Sequence, residues 1–326
     1  MRKLVVRTER WETAHPFVIA RGTKHHVDVL VAEITQGGRV GRGEGTPIYY
    51  KGDSIELAMA SADRIADSLA AGASRADLLD LLPPGAGRNA IDSALWDLEA
   101  KQAGRRVWDI AGLPAPRPML TAYTISLGDP GTMAEAASAA AGRELLKLKL
   151  GGEGDAERVA AVRAAAPNSR LIVDANESWQ NIDIERLSIH LHSLNVELIE
   201  QPLPAGSDAD LQHVRSPVPL CADESLHSRA ELGDVVGRYR FINVKLDKCG
   251  GLTEALALIH AARHRGLGVM TGCMLSTSLG IAPAFVAAMQ GQFADLDGPL
   301  LLAKDRPAGL RFHGSDVEPP EVELWG

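Results

Sequence analysis

The sequence predicts an α/β fold in which a parallel eight-stranded barrel follows a smaller α+β domain, and three observations carry that prediction. From Thr121 onward, short β-rich runs end near Ile125, Lys149, Asp174, Glu200, Asp223, Lys245, Thr271 and Asp295, some 22 to 26 residues apart. Each gap holds a helix-patterned stretch, such as Ala156–Ala166, Ile184–Leu194 or Thr253–Arg265. Strand, helix, strand at constant pitch makes βαβ units and a parallel sheet, and eight strands are the count of a closed barrel. The first stretch of about 115 residues lacks this period altogether. An open doubly wound sheet is the rival, but no glycine-rich dinucleotide fingerprint follows any strand.

Within the N-terminal domain (residues 1–115), Leu4–Thr8, Val27–Ile34 and Arg39–Glu44 read as a small antiparallel meander. Thr35-Gln36-Gly37-Gly38 supplies the hairpin turn between the last two. Helical patterns follow at Ser54–Ala70, Ala76–Leu82 and Arg88–Gln102. In the last, Ala90, Ile91, Ala94, Leu95 and Leu98 form one apolar stripe. Pro114-Ala115-Pro116-Arg117-Pro118 punctuates the chain as a linker, and residues 116–326 form the barrel. The eighth strand runs into Gly298-Pro299 and an irregular tail. The eighth helix is therefore expected to be missing or displaced, a (β/α)7β TIM-like barrel.

Composition narrows the function classes. Aromatic residues are only 4% of the chain, so aliphatic side chains must build the core. A net charge of −8 with no basic stripe argues against nucleic-acid binding. No apolar run approaches the ~20 residues of a membrane span. The start of the chain, Met1–Arg7, has too short an apolar stretch for a signal peptide. Cys221, Cys249 and Cys273 are odd in number and lack zinc-ligand spacing, which fits free thiols in a reducing cytoplasm.

Barrel enzymes work at the C-terminal ends of their strands, where this chain places charges. Lys147 and Lys149 share one face of their strand, and the barrel mouth is a cheaper place for them than the apolar helical layer. Asp174, Glu200 and Asp223 close three consecutive strands. Any one of them alone reads equally well as a helix N-cap or a lysine partner. Three converging in one mouth repel unless a divalent cation joins them, and all-oxygen ligation with open positions suggests Mg²⁺. Lys149 lies on the strand before the first acid and Lys245 on the strand after the last, so they approach a central substrate from opposite sides. They read either as proton-transfer bases or as salt-bridge partners of the acids. A Schiff-base lysine is a further chemistry, but it leaves the three acids unexplained.

Lys147-Leu148-Lys149, Asp174-Ala175-Asn176, Glu200-Gln201-Pro202, Ala222-Asp223-Glu224-Ser225 and Asn243-Val244-Lys245 resemble the enolase superfamily, muconate-lactonizing subgroup. The resemblance extends over the whole chain, including Gly43-Glu44 at the end of the meander. For enolase-superfamily sites a Lys or His base with Mg²⁺ stabilising an ene-diolate is a known pattern. Asp295-Leu296-Asp297-Gly298-Pro299 is similar to the Asp-x-Asp motif of dipeptide epimerases, especially the L-Ala-D/L-Glu epimerases. A polar turn before Gly298-Pro299 is the lesser alternative.

The resemblance implies an isomerase that epimerises L-Ala-L-Glu to L-Ala-D-Glu by 1,1-proton transfer. It implies one Mg²⁺ per subunit on Asp174, Glu200 and Asp223, with Lys149 and Lys245 exchanging the α-proton. Lys147 would neutralise the substrate carboxylate, and Asp295 and Asp297 would hold the α-ammonium. Asn176 and Glu224 would orient water and a lysine respectively. In Pro16-Phe17-Val18-Ile19-Ala20-Arg21-Gly22, Arg21 would meet the glutamate side-chain carboxylate. Lys24, His25 and Lys51 are alternative cations, and Tyr49 and Tyr50 line the lid. A homo-oligomer and a part in cell-wall peptide recycling would follow from the same resemblance. The alternatives are a muconate-type cycloisomerase or o-succinylbenzoate synthase on the same scaffold, and, in another class, a non-catalytic metal-binding barrel paralogue.

Overall fold

The computed structural model describes residues 1–326. Strands β1 (Lys3–Ile19), β2 (Gly22–Gln36) and β3 (Arg39–Gly45) form an antiparallel meander, with a register shift in the β1–β2 pair between Glu12 and Phe17. The meander strands run further than the alternation predicts. β1 continues to Ile19 and β2 begins at Gly22, so the hairpin between them reaches over the barrel mouth.

Two long helices cover the sheet, Ile55–Ala71 and Ala86–Ala103. Ser54 caps the first by accepting the Leu57 amide. The predicted helix at Ala76–Leu82 shrinks to Leu78–Leu81. The second long helix lies against β3 with almost no side chain between the two backbones. Gly41, Gly43 and Gly45 recur at the strand period on one face, and a β-carbon at each would overlap the carbonyl oxygen of Ala94, Ala90 and Ala86 respectively. Those alanines recur every four residues on one helix face. Gly43→Ala is therefore expected to cost about 1–3 kcal/mol through overpacking, read as a lowered melting temperature in thermal denaturation.

A two-residue strand β4 (Met119–Leu120) leads into the barrel. The barrel strands are β5 (Tyr123–Ile125), β6 (Leu145–Lys149), β7 (Arg170–Asp174), β8 (Val196–Glu200), β9 (Leu220–Ala222), β10 (Phe241–Val244), β11 (Gly268–Gly272) and β12 (Phe293–Asp295). They pair in chain order, all parallel. The ring closes where the Ala122 amide donates to the Ala294 carbonyl (2.9 Å). Ala122, just before β5, and Leu145, Ile172, Leu198, Cys221 and Met270, on β6, β7, β8, β9 and β11, plug the lower interior.

The outer helical layer departs from expectation in two places. After β8 there is only a 3-10 turn, Ala209–His213, and after β9 only Arg229–Glu231 and Leu232–Val235. Pro202 and Pro204 open the first of these segments and Pro217 and Pro219 close it, which confines any helix to the short stretch between them. After β12 a 3-10 turn, Gly298–Leu301, replaces the eighth helix as predicted. The tail then adds β13 (Phe312–His313) and β14 (Asp316–Val317), which pairs with β4. It ends on the cap, where Trp325 Nε1 donates to the Ser93 carbonyl and the Gly326 amide to Asp97.

Candidate active site

Alternation along the barrel strands decides which side chains enter the mouth. Leu145 belongs to the inner plug, so Lys147 and Lys149 point inward above it. The same count carries Ile172 to Asp174, Leu198 to Glu200, and Cys221 to Asp223. Register then brings the strand ends level, with Lys149 beside Asp174 and Asp174 beside Glu200. All of these charged residues are buried.

Asp174, Glu200 and Asp223 each offer an oxygen within 4.8 Å of the others. Lys149 Nζ stands 2.6 Å from Asp174, and Lys245 Nζ stands 2.6 Å from Asp223. Lys147 sits between acids, 2.6 Å from Glu200, 3.3 Å from Asp174 and 2.8 Å from Asp295. Its contact with Glu200 Oε2 lacks hydrogen-bond geometry, leaving that oxygen without a hydrogen-bonded partner. Burial opposes the Lys147 ammonium, but Asp295, Glu200 and Asp174 outweigh it and raise its pKa well above the usual lysine value. Lys245 is raised in the same way, against burial, by Asp223 and Glu200.

Burial would raise Asp174 and Asp223, but Lys149 with Lys147, and Lys245 with Lys248, outweigh it and hold both well below the usual carboxylate range, whereas the other acids are raised. Burial, then Asp174, push Glu200 up to about 8. Burial, then Asp223 and Asp174, push Glu224 up to about 7, and burial with Asp295 does the same to Asp297. Asp295 Oδ1 is buried with no hydrogen-bond partner. Three hard oxygen donors in one buried cluster, too close together to ionise fully without a cation among them, fit a divalent metal. The Asp295–Asp297 pair has spare acceptor capacity of its own, since Lys147 meets only one oxygen of Asp295, and Asp297 Oδ2 accepts the Thr124 amide at 2.6 Å.

Two groups differ from expectation. Arg21 reaches the mouth, but its guanidinium is committed to Glu224 (2.5 Å) and Glu177 (3.0 Å) and lies over the Tyr50 ring. Two barrel-loop carboxylates already compensate it, so it ties the cap hairpin to the barrel. Glu224 accordingly meets Arg21 and the Asn176 amide (3.4 Å) rather than orienting a lysine. The Asn176 backbone amide donates to Asp174 at 2.9 Å, and Asn176 Oδ1 is unpartnered.

Sequence reasoning also missed three supporting groups. Lys248 is buried and donates to Asp223 Oδ1 (2.6 Å) and to the Leu226 and Asn243 carbonyls. Asn243 Nδ2 donates to Glu200 at 2.6 Å, and Gln201 Oε1 accepts the Asp223 amide at 2.8 Å. Their only signal was adjacency to residues already singled out. On the cap side, Glu44 is buried against Thr277 and Arg306, fastening β3 to the loop after β11.

Phe17, Ile19, Arg21, Lys24, Tyr49 and Tyr50 close the mouth from the cap. With Lys149, Asn176, Lys245 and Cys273 they enclose a cavity of about 60 Å³. Lys24 is the one cation on this wall without a carboxylate partner, and it rests 4.0 Å from the Tyr49 ring centroid. Burial, then Arg21, lower its pKa to about 8.

Comparison with known proteins agrees with this architecture. Residues 1–112 match the mandelate racemase/muconate lactonizing enzyme N-terminal domain, and residues 132–321 match the enolase C-terminal domain-like family. The L-Ala-D/L-Glu epimerase of Escherichia coli (strain K12) is 45% identical over 96% of this chain and 98% of its own. The N-acetyl-D-glutamate racemase of a Pseudoalteromonas species is 45% identical over 77% of this chain and 79% of its own. An Agrobacterium tumefaciens enolase family member, described as homologous to dipeptide epimerases and bound to sodium and L-Ala-L-Glu, is 51% identical. Its structure matches with TM-score 0.97, covering 100% of both chains. A dipeptide epimerase from Methylococcus capsulatus, complexed with Mg and L-Arg-D-Lys, is 31% identical with TM-score 0.89 over 98% of this chain and 97% of its own. With both domains matched in order and a relative 45% identical over nearly the whole chain, this chain belongs to the mandelate racemase/muconate lactonizing enzyme family of the enolase superfamily.

Proposed function

We propose that this protein is a Mg²⁺-dependent dipeptide epimerase that interconverts L-Ala-L-Glu and L-Ala-D-Glu. The observation that supports the reading is that Lys149 and Lys245 line one cavity, each 2.6 Å from a different member of the acidic cluster, Asp174 and Asp223. Asp174, Glu200 and Asp223 would hold the metal. When bound, Mg²⁺ supplies positive charge beside the substrate carboxylate and offsets the negative charge gathering there as the α-proton leaves.

Lys149, as the free amine, takes the α-proton from one epimer, and Lys245, as the ammonium, delivers a proton to the opposite face. In the reverse direction the two exchange roles. Asp223 holds Lys245 in the charged form that donation needs. Lys147 keeps its proton throughout and neutralises substrate carboxylate charge. Asp295 and Asp297 receive the α-ammonium, whose positive charge answers the elevated pKa of Asp297. The closed hairpin excludes water, which strengthens each of these interactions.

Lys24 rather than Arg21 is the group we assign to the acidic side chain of the substrate, because Arg21 is already compensated and Lys24 is not. Lys24→Met is expected to lower kcat/KM for L-Ala-L-Glu about 10- to 100-fold while sparing L-Ala-L-Gln, the loss of one charge-assisted contact. Arg21→Gln should lower both substrates together, as a closure defect does. Since Lys24 binds an anion only when protonated, preference for the acidic dipeptide should be full below pH 8 and fade as pH rises through about 8. A pH profile of the Glu-to-Gln specificity ratio checks this.

Three other reactions on this scaffold are the alternatives, and one of them has a relative behind it. The racemase relative makes an N-acylated glutamate a second substrate candidate. A cycloisomerase or synthase substrate would carry no amino group. The spare acceptors of Asp295 and Asp297 disfavour all of these, and the presence of every acid and lysine disfavours a non-catalytic barrel. Proton NMR in D₂O with Mg²⁺ decides among them. The glutamate α-proton of L-Ala-L-Glu is expected to wash out as the L,D epimer appears, with N-acetyl-L-glutamate at least about 100-fold slower for want of the buried ammonium contacts. Turnover of N-acetyl-L-glutamate, or of muconate or succinylbenzoate precursors alone, would overturn the dipeptide assignment. The free thiols support a reducing cytoplasm as the setting, and the substrate supports a part in cell-wall peptide recycling.

A further inference from the structure

The opposite end of the barrel carries a second hollow that the proposed reaction does not use. It lies where β9, β10 and β11 begin, among Leu220, Arg240 and Leu267, and measures 480 Å³, within the size range of small-molecule sites. Four arginines line it, Arg215, Arg238, Arg240 and Arg265, and no carboxylate does. Arg238 is neutralised by Asp208 at 3.0 Å. The other three stand exposed at the rim and form no ion pair; Arg265 donates to the Ala261 carbonyl (3.3 Å), and Glu185 meets the backbone amide of Arg215 rather than its guanidinium.

This concentration of charge runs against a chain whose net charge is −8. Guanidinium groups gathered around one concavity repel each other, and a low-dielectric wall of single sign focuses its field on the space it encloses. The apolar surface of the floor comes from the part-exposed Val214 and Pro219 and the exposed Val236, packed over the buried Val218, Leu220 and Leu267. An apolar floor under a rim of guanidinium forks matches a ligand with a flat apolar body and a terminal oxyanion, which arginine grips bidentately.

We propose that this hollow is a second ligand site, distinct from the barrel mouth, that binds a small organic phosphate. Arg240 and Arg265 hold the phosphate while the apolar floor takes the body. A concave, small-molecule-sized shape favours such a ligand over an extended acidic peptide.

Isothermal titration of the Mg²⁺-loaded protein at low ionic strength tests this with phenyl phosphate, inorganic phosphate and phenol as probes. Phenyl phosphate is expected to bind saturably at one per chain, inorganic phosphate about tenfold more weakly, and phenol not at all. Arg240→Glu and Arg265→Glu should each weaken phenyl phosphate at least about tenfold, the loss of one charge-assisted contact, with melting temperature and epimerisation unchanged. Arg215→Gln, on the far rim, is a milder companion should either reversal fail to fold. No saturable binding, or binding that survives all three substitutions, overturns the proposal. So does saturable binding of an oligoglutamate peptide in the absence of phenyl phosphate binding, which would make the surface a protein-docking site.

Discussion

Lys149→Ala and Lys245→Ala are each expected to lower the epimerisation rate by about 10³-fold, within the span that a positioned acid or base contributes. The distinguishing feature is what each variant retains. If the two lysines serve opposite faces of the α-carbon, removing one leaves the other able to exchange the proton of a single epimer with solvent. Deuterium should therefore wash into one dipeptide epimer in Lys149→Ala and into the other in Lys245→Ala. Both amines are buried within 2.6 Å of a carboxylate, Asp174 and Asp223 respectively, so neither substitution leaves the local charges balanced. Circular dichroism melts must accompany the kinetics to separate lost chemistry from lost fold. Wash-in to the same epimer in both variants would mean a single base, and the two-lysine reading would fall.

Glu200→Gln is expected to abolish activity, by about 10³-fold or more, on the order of 4 kcal/mol of barrier. Gln keeps the volume and an acceptor for Asn243 Nδ2, now at 2.6 Å from Glu200, but takes one of three negative charges out of the cluster. Metal affinity should fall with it. A cation that binds only the native state stabilises by RT ln(1 + [L]/Kd), about 2.7 kcal/mol at a hundredfold excess over Kd. Wild-type protein should thus show a melting-temperature rise on titration with MgCl₂ that EDTA reverses, and the variant should show little or none. A variant that still responds to Mg²⁺ like wild type would remove Glu200 from the ligand set.

Fold and site were legible to different depths. The barrel could be read because its signal is local. Six of the eight strand ends carry a charged residue, and the 22-to-26-residue pitch repeats without reference to distant contacts. Strand alternation alone put Lys147 and Lys149 on one face, and the inner plug of Leu145, Ile172, Leu198 and Cys221 follows the same alternation. The missing helix after β8 was equally present in the sequence, in Pro202, Pro204, Pro217 and Pro219, but the regular pitch obscured it.

By itself, then, the sequence determined the barrel, its cap and the order in which acids and lysines meet the mouth, because backbone periodicity converts position into direction. Only the tertiary structure decided who pairs with whom. Arg21 and Lys24 stand three residues apart on one hairpin, yet one is compensated by Glu177 and Glu224 from two barrel loops and the other is left free. Lys248 serves Asp223, and Glu224 serves Arg21, for the same reason. Ion pairing depends on which loops converge and how deeply they are buried, and those distances are set by closure of the barrel and docking of the cap rather than by any pattern along the chain.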